Sequence, residues 1–296
     1  MPITSGYRFL FVINPRAGGK DKGIWEEAIQ KHFAKQPHQY SFWETSGKED
    51  RQKLSHEIKI RQPHRVIAVG GDGTLRLVAE LAARFNLVAG MLPAGSANGM
   101  ASELSLPTDP DDAIRVILAD CTVDMDAIRI NGHYSIHLSD AGLNAQLIAH
   151  FEETEGRGLW SYGRQILKTL RRGRNFVAKI FIDGKYIRRH AAMILIANGR
   201  SYGTGVLVNA TGSLHDGAFE IVVFRSIRFW GILRSLLMGK TAIKPKQEVF
   251  AGTDLKIKLR FPVPFQIDGE FIGTVRSIEA QMLPRNVKML VSGPLP

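Results

Sequence analysis

The chain has few of the features that mark secreted, membrane-spanning or cysteine-rich proteins. Its 296 residues include one cysteine, Cys121, which excludes an internal disulfide and any multi-cysteine metal cluster. The apolar run near the N-terminus, residues 9–13, is too short for a signal-peptide core, and no run elsewhere is long enough to span a bilayer. We therefore expect a cytoplasmic protein in a reducing compartment.

Acidic residues are also scarce relative to basic ones. The sequence has 28 Asp and Glu against 39 Lys and Arg, which gives a formal net charge of +11. Such an excess predicts attraction to an anionic partner: nucleic acid, phospholipid headgroups or a phosphorylated small molecule. The hydrophobic share of 44% and the charged share of 23% are ordinary for a chain that folds around a packed core.

Several familiar catalytic motifs are missing. The nine histidines show no paired spacing typical of zinc ligands, and no Gly-x-Ser-x-Gly nucleophile motif occurs. Lys20 follows two glycines, but the segment lacks the spacing of a Walker motif. Zinc chemistry, serine hydrolysis and a P-loop are therefore not expected.

The order of apolar runs predicts two domains. Up to about residue 120, strand-like and helix-like segments alternate, which indicates an α/β domain with a parallel sheet covered by helices. Beyond it, short extended runs separated by glycine-containing turns, including the Asn131-Gly132 hairpin signal, predict a β-sandwich. We assign residues 1–122 to the first domain and 123–284 to the second, and residues 285–296 could return to the first.

The segment "VGGDGTLRLVAEL" is the most informative one in the first domain. A buried strand ends in glycines and leads into a helix, and such a helix N-terminus suits a phosphate group. Asp72 lies at the same turn. It either caps a helix or lies near a bound phosphate, with Mg²⁺ between the two negative groups. The loops "NPRAGGK", "TSGKED" and "PAGSANG" are expected at the same edge, because sites in such sheets gather at the carboxyl ends of the strands.

Two basic segments interrupt the β pattern, at residues 157–174 and 225–240. Each places Trp and Leu apart from Lys and Arg at helical spacing. They either pack their apolar sides on the sheet or adsorb to an anionic bilayer. Nucleic-acid binding is not expected, since the aromatic residues do not interleave with polar residues that read bases.

These motifs resemble, in their order, those of a known family. "NPRAGG", "GGDGT", "PAGSANGMA", "LHDGAFEIVVF" and "IDGE" are similar to the motifs of the diacylglycerol kinase catalytic domain superfamily, which also holds sphingosine and ceramide kinases and bacterial lipid kinases. NAD kinases share "GGDGT" and a similar two-domain plan. Their next motif, Asn-x-Gly-x-Leu-Gly-Phe, is missing here, which ranks them second.

The resemblance implies transfer of the γ-phosphoryl group of ATP, with Mg²⁺, to a lipid hydroxyl in a cleft between the domains. Together with the two basic segments, a lipid substrate predicts a peripheral position at the anionic inner membrane surface, and a homodimer is possible. The resemblance places Glu270 where bacterial members keep a glutamate proposed as general base and places Asp72 near Mg²⁺ or the attacking hydroxyl, so that either acid could be the base. It makes Asp216 a ligand of a second, structural Mg²⁺. The nucleotide contacts that it implies are Asn14, Thr45, Gly71, Asp72, Gly73, Thr74, Ser96 and Asn98.

Some positions depart from the family pattern and keep alternatives open. Gly99 stands where diacylglycerol kinases have an aspartate, and Asn144 replaces another frequent aspartate, so the lipid is not specified. Asp124, at the domain junction, is given a supporting role. "IDGK" at 182–185 repeats the turn of "IDGE" with a lysine, so an acid is not required by the turn itself. A regulatory module that binds nucleotide and anionic lipid without catalysis is the alternative from another class.

Overall fold

The computed structural model describes residues 6–19, 22–96, 98–142, 145, 175–200, 212–225 and 247–293. Both predicted basic segments lie outside these ranges except for Arg225, and so does Asn144. The described residues divide into two compact units: the first takes in the chain up to Ala127 and again from Pro284, and the second runs from Ile128 to Leu283. Within the described ranges, no helix combines the length and apolarity needed to cross a bilayer.

The first unit contains a parallel sheet, five α-helices and a short 3-10 helix at Ala17–Gly19 among its described residues. Its strands lie in the order β2-β1-β3-β4, and the C-terminal end of a long strand, β14 (Glu270–Leu290), adds Lys288 beside Val88 of β4 in parallel. The helices and strands wholly in this unit are β1 (Arg8–Ile13), α1 (Gly23–Phe33), β2 (Gln39–Glu44), α2 (Asp50–Arg61), β3 (Arg65–Gly70), α3 (Asp72–Phe85), β4 (Val88–Pro93), α4 (Gly99–Glu103) and α5 (Pro110–Leu118).

Burial in this unit follows the apolar pattern of the sequence. Every residue of β3 is buried, as expected for a parallel strand with both faces covered. Helix α3 buries one stripe, including Leu75, Val78 and Leu81, while its other side is polar. The helix predicted to begin near Asn98 ends after five residues at Glu103, and α5 follows from Pro110, because Pro107 and Pro110 interrupt helical backbone between them.

The second unit consists of antiparallel strands. Strand β13 pairs with β8 along Leu255–Leu259 and with β7 along Phe265–Ile267, so one long strand belongs to two groups of strands. Its pairing with β14 is irregular between Lys258 and Val263. The strands that carry this unit are β5 (Thr122–Ile130), β6 (His133–Ser135), β7 (Leu138–Gly142), β8 (Phe176–Ile182), β9 (Lys185–Ala191), β10 (Met193–Ala197), β11 (Phe219–Phe224), β12 (Gln247–Gly252), β13 (Asp254–Ile267) and β14 (Glu270–Leu290).

A single buried cluster joins the two groups of strands. Ile180 and Ile257 come from one group, and Ile194, Ile221 and Phe265 from the other. A sheet that folds over to enclose its own apolar face is the arrangement of a β-sandwich. The predicted fold class, an α/β domain followed by a β-sandwich, is therefore confirmed.

Two histidines act as hydrogen-bond acceptors at the amino ends of the parallel strands. Tyr7 N donates to His38 Nδ1 at 3.1 Å, and Arg8 N donates to His64 Nδ1 at 3.0 Å. An imidazole nitrogen accepts such a bond only while it carries no proton. The neutral form of both rings is therefore part of the native structure.

The surroundings of both rings favour this neutral form. Partial burial and the charge of Arg65 lower the pKa of His38, against an opposing effect of Asp120. Burial together with Arg8 and Arg65 lowers the pKa of His64. Arg65 itself is buried, stacks on the ring of Tyr7 at 3.7 Å and pairs with Asp120. A fixed cation therefore lies close to both imidazoles.

We expect the free energy of unfolding to fall as the pH drops below about 6.5. The unfolded chain then binds protons at His38 and His64 that the folded chain resists, so stability is complete above the unfolded pKa and declines below it. Urea unfolding at pH 7.5 and pH 5.5 measures this slope. The double variant His38→Asn/His64→Asn keeps a hydrogen-bond acceptor at both positions and should show a smaller dependence of the free energy of unfolding on pH. The control His56→Asn, on α2, should behave like wild type. An equal dependence in wild type, the double variant and the control would contradict the role of His38 and His64.

Candidate functional site

The loop after β1 is fastened to the start of α3. Asn14 N donates to Val69 O at 3.0 Å, and Asn14 Nδ2 donates to Thr74 Oγ1 at 3.3 Å. Its Oδ1 accepts from Arg16 N at 3.0 Å, so the Asn14 side chain links its own loop to Thr74 in the first turn of α3. Two of the predicted nucleotide contacts, Asn14 and Thr74, therefore lie in direct contact.

The two glycine loops touch each other backbone to backbone. A methyl group built on Gly95 would lie 2.5 Å from Gly71 Cα and 2.6 Å from Asn98 Oδ1. Asn98 also holds its own loop, because Gly95 N donates to its Oδ1 at 3.0 Å while its Nδ2 donates to Pro93 O and Gly95 O. Ser96 is exposed at the tip of this loop. "GGDGT" and "PAGSANG" thus form one surface.

Asp72 connects the same two loops through its carboxylate. Gly99 N donates to Oδ2 at 2.8 Å and Met100 N donates to Oδ1 at 2.9 Å. Asp72 is therefore the cap of α4, although it belongs to α3, and this cap lies 27 residues before the amide that it binds. Each oxygen retains a lone pair for another partner.

The start of α3 is open. Gly71 is its N-cap residue and makes no side-chain capping bond. The amides of the first helical turn, at Asp72, Gly73 and Thr74, have no acceptor within the helix and lie at the positive end of its dipole. A methyl group built on Gly73 would meet no atom within 4 Å. The first-turn amides of this 14-residue helix thus lack partners within the helix, and Gly73 has open space beside its Cα; a helix N-terminus of this kind can bind a phosphate group.

A buried lysine ties the first loop to the end of β4. Lys22 is 7% exposed, and its Nζ donates to Ala94 O at 2.7 Å and to Ala17 O. Two carbonyls from separate loops therefore share one ammonium group. No sequence motif marks Lys22, because Ala94 approaches it only in the folded chain.

The loop after β2 is closed by an aspartate. Thr45 N donates to Ile13 O at 2.8 Å, which places Thr45 beside the end of β1. Asp50 accepts from Ser46 N, Ser46 Oγ and Gly47 N, each at 2.8 Å. Burial raises the pKa of Asp50, but these hydrogen bonds outweigh it and lower the pKa below its usual value.

The hairpin that carries Glu270 is held in place by Asp268, the first residue of its turn. Asp268 and Gly269 have φ of 48° and 86°, as in a two-residue type I′ turn. The Asp268 carboxylate accepts from Ser135 Oγ at 2.8 Å, Ile136 N at 2.9 Å and His137 N at 3.1 Å. Glu270 is exposed at the first position of β14.

A second set of hydrogen bonds, through Gln266 and Asp140, stabilises the same turn. Gly269 N donates to Gln266 Oε1 at 2.7 Å, and Gln266 Nε2 donates to Asp140, whose other oxygen accepts from Ala145 N at 3.0 Å. Asp140 and Gln266 are buried. No motif marks either residue, and the sequence of β7, Leu-Ser-Asp-Ala-Gly, is not an apolar run that would have indicated burial of Asp140.

The remaining predicted acids are exposed. Asp216 Oδ1 accepts from Ala218 N of its own turn at 3.1 Å, and Asp124 is exposed on β5. Asp126, two residues later, is fully buried and accepts from Arg285 N at 2.6 Å. Within the described ranges, no group of three or more His, Cys, Asp or Glu side chains could hold a metal ion.

The structure thus brings most of the predicted nucleotide contacts together in the first unit. Asn14 touches Thr74, Gly71 touches the loop of Asn98, and Asp72 binds the amide next to Asn98. Glu270 and Asp216 belong to the second unit.

Two known families match the chain in succession. Residues 8–130 match the diacylglycerol kinase catalytic domain, and residues 139–291 match the YegS C-terminal NAD kinase beta sandwich-like domain. Among curated relatives, the "Probable lipid kinase YegS" of Salmonella arizonae is 27% identical over 246 residues, covering 77% of each chain. The "Probable lipid kinase YegS-like" of Chromohalobacter salexigens is 31% identical over 183 residues, covering 58% of each chain.

The chain also resembles a solved structure over nearly its full length. A diacylglycerol kinase of Bacillus anthracis superposes with a TM-score of 0.74 at 17% identity, covering 99% of this chain and 100% of that one. At this identity the likeness shows the fold alone.

Proposed function

Because this chain belongs to the family of the diacylglycerol kinase catalytic domain, we propose that it transfers the γ-phosphoryl group of ATP to a lipid hydroxyl. The observation that carries the proposal is the open N-terminus of α3 beside the joined glycine loops. Phosphoryl transfer needs phosphates held in place, charge neutralised and a group that takes up the hydroxyl proton. The following residues are proposed for these tasks.

The phosphates of ATP lie against the first turn of α3 in this proposal. The amides of Asp72, Gly73 and Thr74 donate to phosphate oxygens, as at other helix N-termini. Asn14 and Thr45 contact the nucleotide from the ends of β1 and β2, and Gly71 lets it approach the backbone closely. Ser96 and Asn98 contact it from the second glycine loop.

The donor set is compatible with Mg²⁺ bound mainly by phosphate oxygens and water. Magnesium in nucleotide sites is commonly held by one or two carboxylates, with waters and phosphates completing the octahedron. Asp72 retains lone pairs beyond the two amides that it binds, so we propose it as the carboxylate near the metal. The bound ion would neutralise the charge on the phosphates. Asp216 is proposed for a second, structural Mg²⁺.

Glu270 is proposed to accept the proton of the lipid hydroxyl. A carboxylate that receives this proton makes the oxygen a better nucleophile for the γ-phosphorus atom. The anchored turn at Asp268 and Gly269 limits the movement of Glu270, and a fixed base is more effective than a mobile one.

Substitutions at two glycines, Gly95 and Gly73, test the packing of the loops and the binding of ATP separately. Gly95→Ala should destabilise the fold by about 1–3 kcal/mol, because its methyl group would overlap Gly71 and Asn98. Gly73→Ala meets no atom and gains helix propensity, so it should fold at least as well. Its Cβ points towards the helix N-terminus, so the KM for ATP should rise. Thermal unfolding and ATP titration measure these effects; an unchanged KM in Gly73→Ala would contradict the phosphate position.

The reaction itself is tested by phosphate transfer from labelled ATP to a panel of lipids. The panel contains diacylglycerol, monoacylglycerol, phosphatidylglycerol, ceramide and sphingosine, with NAD as a non-lipid acceptor. Label in one lipid, dependent on Mg²⁺, is the expected result. Phosphorylation of NAD would indicate an NAD kinase instead. Binding of ATP without transfer to any acceptor would indicate a regulatory module.

A further inference from the structure

The outer face of the second unit carries a row of cations across three strands. In the pairing of β8 with β9, Lys179 lies opposite Arg188, and in the pairing of β8 with β13 it lies opposite Lys258. All three side chains are exposed. Directly opposed residues in an antiparallel pair have Cβ atoms about 4.5–5.5 Å apart, so three like charges repel each other here. We call these three residues the basic row.

Neighbouring positions do not compensate this charge. Lys256, in the adjacent outward row, pairs with Glu279, and Arg189 on β9 pairs with Glu248. Among the described residues, no acid forms an ion pair with Lys179, Arg188 or Lys258. The next outward positions, His190 on β9 and Arg260 on β13, add donors and no acid.

Protection of a sheet edge explains only part of this pattern. Natural edge strands often carry Lys and Arg to prevent pairing with another chain, and among the described strands β9 pairs only with β8. This accounts for Arg188. Strand β8 has a partner on each side, and so does β13, so Lys179 and Lys258 need no such protection.

Exposed aromatic rings accompany the charges. Tyr186 on β9 is 54% exposed, and Phe261 on β13 is 58% exposed with the Arg260 guanidinium 5.2 Å from its ring centre. Aromatic rings beside Lys and Arg are typical of surfaces that rest at the headgroup level of a bilayer. Asn and Gln side chains, which read nucleic-acid bases, are missing from the outward positions of these strands between residues 177 and 190.

We propose that the basic row docks on the surface of an anionic lipid bilayer. Headgroup phosphates would relieve the repulsion between Lys179, Arg188 and Lys258, while Tyr186 and Phe261 would enter the headgroup layer. The choice of a bilayer over another polyanion rests on the proposed function, because a lipid kinase must meet its substrate at a membrane. This surface is distinct from the two basic segments considered in the sequence analysis.

Vesicle sedimentation tests the proposal with a matched pair of triple variants. Lys179→Gln, Arg188→Gln and Lys258→Gln are combined in one protein, and Lys35→Gln, Lys59→Gln and Arg84→Gln in a control that loses the same charge from exposed positions of the first unit. Each basic residue near an anionic surface contributes about a fivefold factor in binding. The basic-row variant should therefore bind phosphatidylglycerol vesicles on the order of 100-fold more weakly than wild type. The control should lose far less, and binding of wild type should weaken with salt.

Each other outcome overturns the proposal. Equal losses of vesicle binding in both triple variants would indicate a general effect of net charge. Failure of the wild-type protein to bind the vesicles would show that the basic row is not a membrane-binding surface. Unchanged vesicle binding together with lost binding to a short duplex DNA would identify nucleic acid as the partner. Circular dichroism melting checks that both variants fold. Phosphorylation of a short-chain diacylglycerol in detergent micelles by wild type tests the proposed function separately, so the two failures are distinguishable.

Discussion

Glu270→Gln is expected to lower kcat for lipid phosphorylation by about 10²–10⁴-fold while the KM for ATP stays near its original value. Glutamine keeps the size of the side chain but cannot take up the hydroxyl proton. The turn beneath it should persist, because Asp268 and Gln266 provide its anchors. Initial rates at saturating ATP measure the loss. The pH–rate profile should also lose its acid limb, which a purely structural change would not remove.

The chain provides its own control for this experiment. Lys185 follows Asp183 and Gly184, whose φ values of 44° and 78° repeat the turn before Glu270. Lys185→Gln therefore makes a similar change at an equivalent hairpin position and should leave kcat within about twofold of wild type. If Glu270→Gln retains more than a tenth of the wild-type kcat, another group accepts the proton and the assignment fails.

Asp72→Asn is expected to lower kcat/KM for ATP by on the order of 100-fold or more. The amide group of asparagine would direct a donor at Gly99 N or Met100 N, where the carboxylate accepts two hydrogen bonds. The second glycine loop would then lose its cap, and the proposed contact with Mg²⁺ would be weakened. Steady-state kinetics with varied ATP and varied Mg²⁺ measure both effects.

Asp109→Asn separates capping from catalysis. Asp109 caps α5 by accepting from Asp112 N at 3.1 Å, so both substitutions remove a carboxylate cap in the same unit. Because asparagine caps a helix about as well as aspartate, Asp109→Asn should cost less than about 0.5 kcal/mol, whereas Asp72→Asn points a donor at one of its two amides and should cost about 1 kcal/mol. Only Asp72→Asn should change the kinetics; if it loses stability without a change in kcat/KM, Asp72 serves the fold alone.

Local pattern was sufficient to predict the architecture and the position of the loops. Strands such as β3 are apolar throughout, and α3 has a clear apolar stripe, so their types follow from residues close in sequence. The turns at Asn131-Gly132 and Asp268-Gly269 follow in the same way, because few other residue pairs tolerate positive φ at both positions.

The partners of the polar side chains could not be predicted, because they come from distant parts of the chain. Asp72 was interpreted as a cap or as a metal ligand, but nothing local indicates that its amide partners lie at Gly99 and Met100. Lys22 depends on Ala94, and Asp268 on residues more than 130 positions earlier. Of the two acids on β5, the exposed Asp124 was considered and the buried Asp126 was not, since burial on a strand depends on packing.

The close approach of Gly71 and Gly95 limits how this protein can diverge. A Cβ at Gly95 would lie 2.5 Å from the facing Cα, so any side chain at Gly95 requires the two loops to move apart, whereas a Cβ at Gly71 would lie 3.5 Å from Gly95 Cα. If the proposed function holds, altered preference for a nucleotide would arise at neighbouring positions such as Ser96, which is exposed. A mutational library should accordingly show intolerance at the glycine and diversity at its exposed neighbours.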